Sequence, residues 1–148
     1  MCKCPDSAWA QNALNFLDGN RNNANEQWHT VDFLINNDHC GIDDRTTIES
    51  ILGHLREQGI DLEREEFQQS ILGDLKRQGI VATLPYPGRQ GGVFIPCDEN
   101  EVMAVAEQIL SRVNSEIENM AGIAQGTQFQ NLFDGLVRTL HEIRQNFH

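Results

Sequence analysis

The chain has 148 residues, 39% of them hydrophobic, and its 22 acidic and 11 basic side chains give a formal net charge of −11. This length predicts a single compact domain, and no apolar run approaches the roughly 18 residues of a membrane-spanning helix. The opening residues MCKCP lack the apolar stretch of a signal peptide, so we expect a cytoplasmic protein with no membrane partner. The acidic balance argues against nucleic-acid binding, although the acid is concentrated in residues 98–121 and residues 81–97 have a net positive charge.

Four cysteines lie at positions 2, 4, 40 and 97. No two of them have the spacing of two to four residues that is typical of a structural zinc site. We therefore expect reduced thiols and neither a metal nor another cofactor. Cys2 and Cys4 would belong to a frayed N-terminus, and Cys40 and Cys97 would pack as small hydrophobic residues.

Residues 1–25 are predicted to form a short helix followed by an Asn-rich linker. Ser7 is a good N-cap for a helix over residues 7–18, and the sequence GNRNNAN after it favours turns. A second helix is predicted over residues 26–35, where Trp28 and Val31 begin its apolar face.

A near-repeat follows, because residues 50–60 and 70–80 are identical at eight of eleven positions. Each copy has the pattern of the end of an amphipathic helix that is closed by a glycine, Gly59 in the first and Gly79 in the second. Glycine favours the left-handed conformation that ends many helices. The repeat therefore predicts two successive helices, each with a glycine C-cap.

The first of these helices is expected to start at a cap formed by Asp43 or Asp44 and to end near Gln58. The second covers residues 62–78, with Asp61 as its N-cap. Apolar residues at helical spacing predict the buried face of the second helix. That face contains Phe67, Ile71, Leu72 and Leu75.

A β-hairpin is predicted after the second helix. Residues 80–84 (IVATL) are rich in β-branched side chains, residues 85–90 (PYPGRQ) favour a turn, and residues 91–96 (GGVFIP) form the returning strand. The loop is longer than that of a tight hairpin.

The order of helix, turn, helix and hairpin over residues 44–96 resembles the winged helix-turn-helix superfamily. The segments Gln78-Gly79-Ile80 and Gly91-Gly92-Val93-Phe94-Ile95-Pro96, followed by the acidic Asp98-Glu99-Asn100-Glu101, are similar to small winged-helix proteins of phages and mobile elements. The resemblance implies a winged-helix domain over residues 26–97 and a second helix that enters the major groove of DNA.

The exposed face of the second helix supplies most of the candidate DNA-binding residues. Gln69 has the functional groups that read an adenine edge, and Ser70, Lys76 and Arg77 are able to hold phosphate. Arg89, at the tip of the predicted wing, is the fifth candidate. An exposed, solvated surface is the alternative for each of them, and the neighbouring Glu63, Glu65 and Glu66 oppose binding to phosphate.

Residues 98–148 are predicted to form a helical hairpin that holds a homodimer. Apolar residues recur at spacings of three and four over residues 99–121 and 128–147, which is the pattern of a heptad seam. Packing of these helices on their own domain is the alternative. The first seam contains Met103, Ala106, Leu110, Val113, Ile117 and Met120, and the second contains Phe129, Phe133, Leu136, Leu140, Ile143 and Phe147.

An enzyme is not expected, because the sequence has no phosphate-binding loop, no nucleophile motif and no metal-binding motif. The expected architecture is mostly α with a small β-hairpin, namely a winged helix-turn-helix plus a C-terminal helical hairpin. Two functions remain open. One is a homodimeric transcriptional regulator that binds DNA. The other is an acidic interaction module that binds a basic protein or mimics nucleic acid to inhibit such a partner.

Overall fold

The computed structural model describes residues 2–84 and 92–146. The chain is mostly helical with a small two-stranded antiparallel sheet, as the sequence predicts. It divides into an N-terminal unit, Met1–Val102, and a C-terminal unit, Met103–His148. Within the described residues, no helix has both the length and the apolar content that crossing a bilayer requires.

Two helices begin the N-terminal unit. Helix α1 is Ala8–Gly19, and the Ser7 hydroxyl caps it by accepting a hydrogen bond from the Ala10 amide at 2.9 Å, as predicted. Helix α2 is Glu26–Asn36, capped by Asn25. The Trp28 indole donates to the Leu17 carbonyl at 3.1 Å, so the two helices are joined by a hydrogen bond as well as by apolar contacts.

Helix α3 is Ile48–Glu57, and the predicted caps Asp43 and Asp44 were wrong. These aspartates lie in a 3₁₀ turn, Ile42–Asp44. The chain after the turn stays extended because Thr46 exchanges backbone hydrogen bonds of 2.8 and 2.9 Å with Val93. The helix starts only beyond this bridge, where Thr47 caps it by accepting from the Ser50 amide.

The next helix has three parts that run on without a break: α4 (Arg64–Glu66), a π-helical turn (Phe67–Leu72) and α5 (Gly73–Arg77). We call residues 64–77 the composite helix. Asp61 does not cap it, contrary to expectation. Its carboxylate instead faces Arg56 at 3.7 Å, and the extended Glu63 precedes the first turn.

The near-repeat corresponds to two helix ends with the same hydrogen bonds. Gly59 and Gly79 have φ values of +81° and +71°, which confirms both predicted glycine caps. The Ile60 amide donates to the Leu55 carbonyl at 2.9 Å, and the Ile80 amide donates to the Leu75 carbonyl at 3.1 Å. Both are the six-to-one hydrogen bond of a Schellman motif, which explains why the two sequences match.

The sheet consists of β1 (Ala82–Leu84) and β2 (Gly92–Phe94), with Thr83 opposite Val93. The predicted loop, residues 85–90, and Gly91 lie outside the described residues. Single bridges extend the sheet on the other side of β2, where Thr46 pairs with Val93 and Cys40 pairs with Ile95.

The cysteines form two disulfides, Cys2–Cys40 and Cys4–Cys97, so the expectation of reduced thiols and a frayed N-terminus was wrong. The Cα atoms of each pair are 5.5 and 5.6 Å apart, within the usual range for a disulfide. Cys40 pairs with Ile95, and Cys97 follows Ile95 by two residues. The two disulfides therefore attach the N-terminal segment to the chain around Ile95. The Ser7 hydroxyl adds a hydrogen bond to the Pro96 carbonyl at 3.1 Å.

The core of the N-terminal unit is contributed by the four helical segments together with the sheet. Its largest fully buried side chains come from α2, α3, the composite helix and the β2 segment. They are Leu34, Val31, Ile51, Leu55, Phe67, Leu72, Leu75, Val93, Phe94 and Ile95.

Two helices complete the described chain. Helix α6 is Glu99–Ile123, and Asp98 caps it by accepting from the Glu101 amide at 3.0 Å. Helix α7 is Gln130–Gln145, and it begins two residues later than predicted. Phe147, the last residue of the predicted seam, lies outside the described residues.

Candidate nucleic-acid interface

The π-helical turn determines which face of the composite helix is buried. The Gly73 amide donates to the Gln68 carbonyl, five residues back rather than four. The wider turn accommodates an additional residue, and this rotates the following residues relative to a regular α-helix. As a result Leu72 is buried, whereas Ile71 packs against the core but stays partly exposed.

Gln69 and Ser70, two predicted DNA-binding residues, are exposed on this turn. The Gln69 amide donates to a Glu65 carboxylate oxygen at 3.2 Å, one turn earlier on the same helix. Both side chains are therefore accessible to a ligand, although Gln69 has an acidic neighbour.

Lys76 connects the composite helix to the sheet. Its ammonium group donates to the Thr83 hydroxyl on β1 at 3.2 Å. Desolvation lowers the pKa of Lys76 from 10.5, and the positive charge of Arg77 lowers it further. The structure thus brings one predicted phosphate-binding residue to the start of the hairpin. Arg89, the candidate on the hairpin loop, lies outside the described residues.

Arg77 has an ionic partner on its own helix. One of its guanidinium nitrogens contacts Asp74 Oδ1. The other carboxylate oxygen of Asp74 accepts a hydrogen bond from Gln27 Nε2 on α2 at 3.2 Å, and Gln78 Nε2 lies 3.5 Å from Gln27 Oε1. The spacing of Asp74 and Arg77 suits an ion pair on a helix. The sequence does not indicate that Gln27 contacts Asp74, because this contact depends on how α2 packs.

Other basic residues near the composite helix also have acidic partners. Arg64 pairs with Glu49 of α3, and Arg56 pairs with Asp61. Glu65 and Glu66 are exposed in the first turn. The surface around the composite helix therefore carries both signs of charge, and its cations are largely neutralised by local partners.

A further basic residue, Arg45, lies beside Gly92 of β2 and was not among the predicted site residues. A β-carbon at Gly92 would lie 2.7 Å from the Thr46 carbonyl oxygen and 3.1 Å from Arg45 Cγ. Glycine is thus required where Thr46 approaches β2. An Arg45 guanidinium nitrogen donates to the Ile42 carbonyl at 2.6 Å.

A metal centre is not formed by the described residues, in which no three His, Cys, Asp or Glu side chains are grouped to hold an ion. His39 and Cys40, adjacent in sequence, have separate roles. His39 Nδ1 lies 2.8 Å from the Asp44 carbonyl oxygen, and Cys40 is bonded to Cys2.

The C-terminal unit leaves much apolar surface exposed. Each predicted seam divides into two parts. Ala106, Leu110, Ile117, Phe133 and Leu140 are partly buried. A second set is more than a third exposed, and we call these residues the apolar stripes. The stripe of α6 contains Met103, Ile109, Val113, Met120 and Ile123, and the stripe at the start and along the length of α7 contains Phe129, Leu132, Leu136 and Ile143. Of these, Ile109, Ile123 and Leu132 were not in the predicted seams.

A polar residue is buried in the same unit. Asn114 is 8% exposed, and its amide nitrogen donates to Glu118 at 3.0 Å. Its Oδ1 atom has no hydrogen-bond partner among the described residues.

Comparison with known proteins gave one informative similarity. No family model and no solved structure matches the chain. A protein of Methanocaldococcus jannaschii named "Putative control protein C.MjaVP" is 43% identical over 150 residues. The alignment covers 96% of this chain and 91% of that relative, so the similarity extends over both units.

Proposed function

This chain belongs to the family of the control protein C.MjaVP, and we propose that it is a transcriptional regulator of the winged helix-turn-helix type that binds DNA as a homodimer. In this proposal the composite helix and the hairpin form the DNA-binding surface. The C-terminal helices hold the two copies together.

The observation that carries the proposal is the order of elements in the N-terminal unit. Helix α2, the bridge at Thr46, α3, the composite helix and the β1–β2 hairpin follow one another in the order of a winged helix. The exposed face of the composite helix adjoins the hairpin through the hydrogen bond between Lys76 and Thr83. A helix for the major groove and a wing for the adjacent backbone would then be presented together.

The candidate DNA contacts divide into two groups. Gln69 would read a base edge, because its amide offers both a donor and an acceptor. Ser70, Lys76, Arg77 and Arg89 would contact phosphate and set the orientation of the protein. Since few cations are available, non-specific affinity should be low at physiological salt, and two copies would be needed to double the contacts.

The apolar stripes of the C-terminal unit support a homodimer. Among the described residues, nine large apolar side chains that are more than a third exposed lie on α6 or at the start and along the length of α7. Their burial against the same surface of a second copy would remove apolar area from water and would provide a closed, twofold interface.

The proposal is tested by titrating a labelled DNA duplex with the protein at several salt concentrations. We expect a linear decrease of the logarithm of the binding constant with the logarithm of salt. Arg89→Ala and Lys76→Ala should each weaken binding and reduce that slope by about one unit. Arg112→Ala, a change of the same charge on α6, is the matched control and should leave the slope unchanged.

The alternative function is an acidic module that binds a basic protein, and the net charge of −11 favours it. The local neutralisation of Arg64 and Arg77 points in the same direction. Absence of DNA binding even at low salt would contradict the regulator proposal. Copurification with a basic nucleic-acid-binding protein would then support the alternative.

A further inference from the structure

We propose that Asp74, held by Gln27, is a positioning residue that withholds the Arg77 guanidinium from phosphate and so keeps non-specific DNA binding weak. This inference rests on the proposed function, because it concerns the same DNA-binding surface. It assigns a role to two residues that would not themselves contact DNA.

The geometry gives each oxygen of the Asp74 carboxylate a separate donor. Oδ2 accepts from Gln27 on α2 at 3.2 Å, and Oδ1 contacts the Arg77 guanidinium. The Gln27 hydrogen bond therefore fixes the carboxylate with its second oxygen toward Arg77. Because Gln27 belongs to a different helix, the position of the carboxylate depends on the packing of α2 as well as on the rotamer of Asp74.

The Arg77 guanidinium lies back along its own helix, near Gly73. A β-carbon at Gly73 would be 3.4 Å from Arg77 Nη1 and 3.6 Å from Nη2, which are ordinary van der Waals distances. The guanidinium therefore lies alongside the helix, where it forms the ion pair with Asp74.

The ion pair has a direct consequence for binding to a polyanion. A phosphate must displace Asp74 from Arg77, and the carboxylate then remains close to the DNA and repels it. Arg77 therefore contributes less to affinity than a free arginine would. Because the Arg77 side chain is 69% exposed, the pair is weak, and a phosphate that is well placed in a specific site would displace Asp74 whereas a duplex of arbitrary sequence would not.

The test compares the full-length protein with Asp74→Asn in titrations of a labelled duplex of arbitrary sequence, from low to physiological salt. We expect Asp74→Asn to tighten binding roughly three- to tenfold at low salt and to steepen the salt slope by about 0.9, the contribution of one additional phosphate contact. Asp74→Glu, which keeps the charge, should behave like the wild type. Gln27→Ala should give a smaller gain than Asp74→Asn.

A matched control separates this role from a change in net charge. Glu66→Gln removes the same charge from the same helix, but Glu66 forms no ion pair with Arg77, so its gain should be smaller and its slope unchanged. In an Arg77→Ala background, Asp74→Asn should no longer steepen the slope. Thermal unfolding of each variant checks that it is folded.

The possible outcomes distinguish the inference from the proposed function. Equal effects of Asp74→Asn and Glu66→Gln, or a slope that steepens in the Arg77→Ala background, would overturn the inference. DNA binding by the wild type would still uphold the proposed function. Weaker binding by Asp74→Asn would also overturn it, since Asp74 would then orient Arg77 for DNA. If neither the wild type nor any variant binds DNA, both fail.

Discussion

The N-terminal and C-terminal units differ in how they bury their apolar side chains. The N-terminal unit has a continuous core from helices and sheet, and two disulfides fasten its first residues. In the described part of the C-terminal unit only Val105, Asn114 and Ala124 are buried, and long apolar stripes face outward. The first unit therefore buries its apolar side chains within its own core, and the second carries the apolar stripes that we propose to be the homodimer interface.

The largest expected effect on the N-terminal unit is the loss of a disulfide. The Cys4–Cys97 bond joins residues 93 apart in sequence. A double substitution, Cys4→Ser with Cys97→Ser, should lower the free energy of unfolding by about 4 kcal/mol, because a long loop of the unfolded chain is no longer closed. Urea unfolding under oxidising conditions measures this loss. Identical wild-type unfolding curves with and without a reducing agent would show that the bonds do not stabilise the fold.

A comparison of Leu75→Ala with Ile71→Ala tests the buried face of the composite helix. Leu75 is fully buried, so its truncation should cost about 2–5 kcal/mol. Ile71 is rotated partly out of the core by the π-helical turn, so its truncation should cost less than half as much. Equal losses in chemical denaturation would mean that the helix is regular at this point and that both side chains are buried.

The proposed interface of the C-terminal unit is tested by Leu132→Glu. Leu132 is 59% exposed, so a charge there should leave the folded monomer intact. In a dimer the same charge would be buried without a partner, and we expect the dissociation constant to rise at least roughly tenfold. Analytical ultracentrifugation measures the change, and Asn131→Glu, at the adjacent exposed position, is the control. A wild-type protein that sediments as a monomer at micromolar concentrations would contradict the dimer.

The smallest predicted effect concerns the pH dependence of Lys76. Its pKa in the folded protein lies below 10.5, so between these values the unfolded chain binds more protons and stability rises with pH. Lys76→Met should remove this rise, with a difference below about 0.5 kcal/mol because the ammonium group keeps contact with solvent. Stability measured in parallel for both proteins as the pH approaches 10.5 tests this. A steeper rise in the variant would contradict the direction of the pKa shift.

Parts of the fold could be predicted from the sequence because they depend on local interactions. Ser7 caps α1 through a residue three positions away, and Gly59 and Gly79 provide the left-handed conformation at two helix ends. The start of α3 could not be predicted in the same way. Asp43 and Asp44 are good caps locally, but the pairing of Thr46 with Val93 keeps the chain extended and delays the helix.

The disulfides and the π-helical turn illustrate two further limits. Cysteines 38 and 93 residues apart do not indicate their partners, because only the tertiary fold brings them together. The π-helical turn adds one residue to a turn without altering composition, so regular helical spacing placed Ile71 and Leu72 together on one buried face.

Only part of the candidate site could be predicted from the sequence. The exposed face with Gln69, Ser70, Lys76 and Arg77 follows from helical spacing, and its DNA-binding role stays a prediction. The way in which Asp74 is held beside Arg77 could not be predicted from helical spacing, because Gln27 donates to Asp74 from another helix. A count of basic residues thus overestimates the positive charge that this surface offers to a phosphate backbone.

We propose that one unit binds DNA while the other joins two copies, and the mass of the protein–DNA complex shows whether both are true. Sedimentation equilibrium of the intact protein with a DNA duplex to which it binds should give two chains per duplex. Leu132→Glu should lower both the stoichiometry at a given concentration and the affinity. A complex of one chain per duplex, unchanged by Leu132→Glu, or no complex at low salt, would contradict the account.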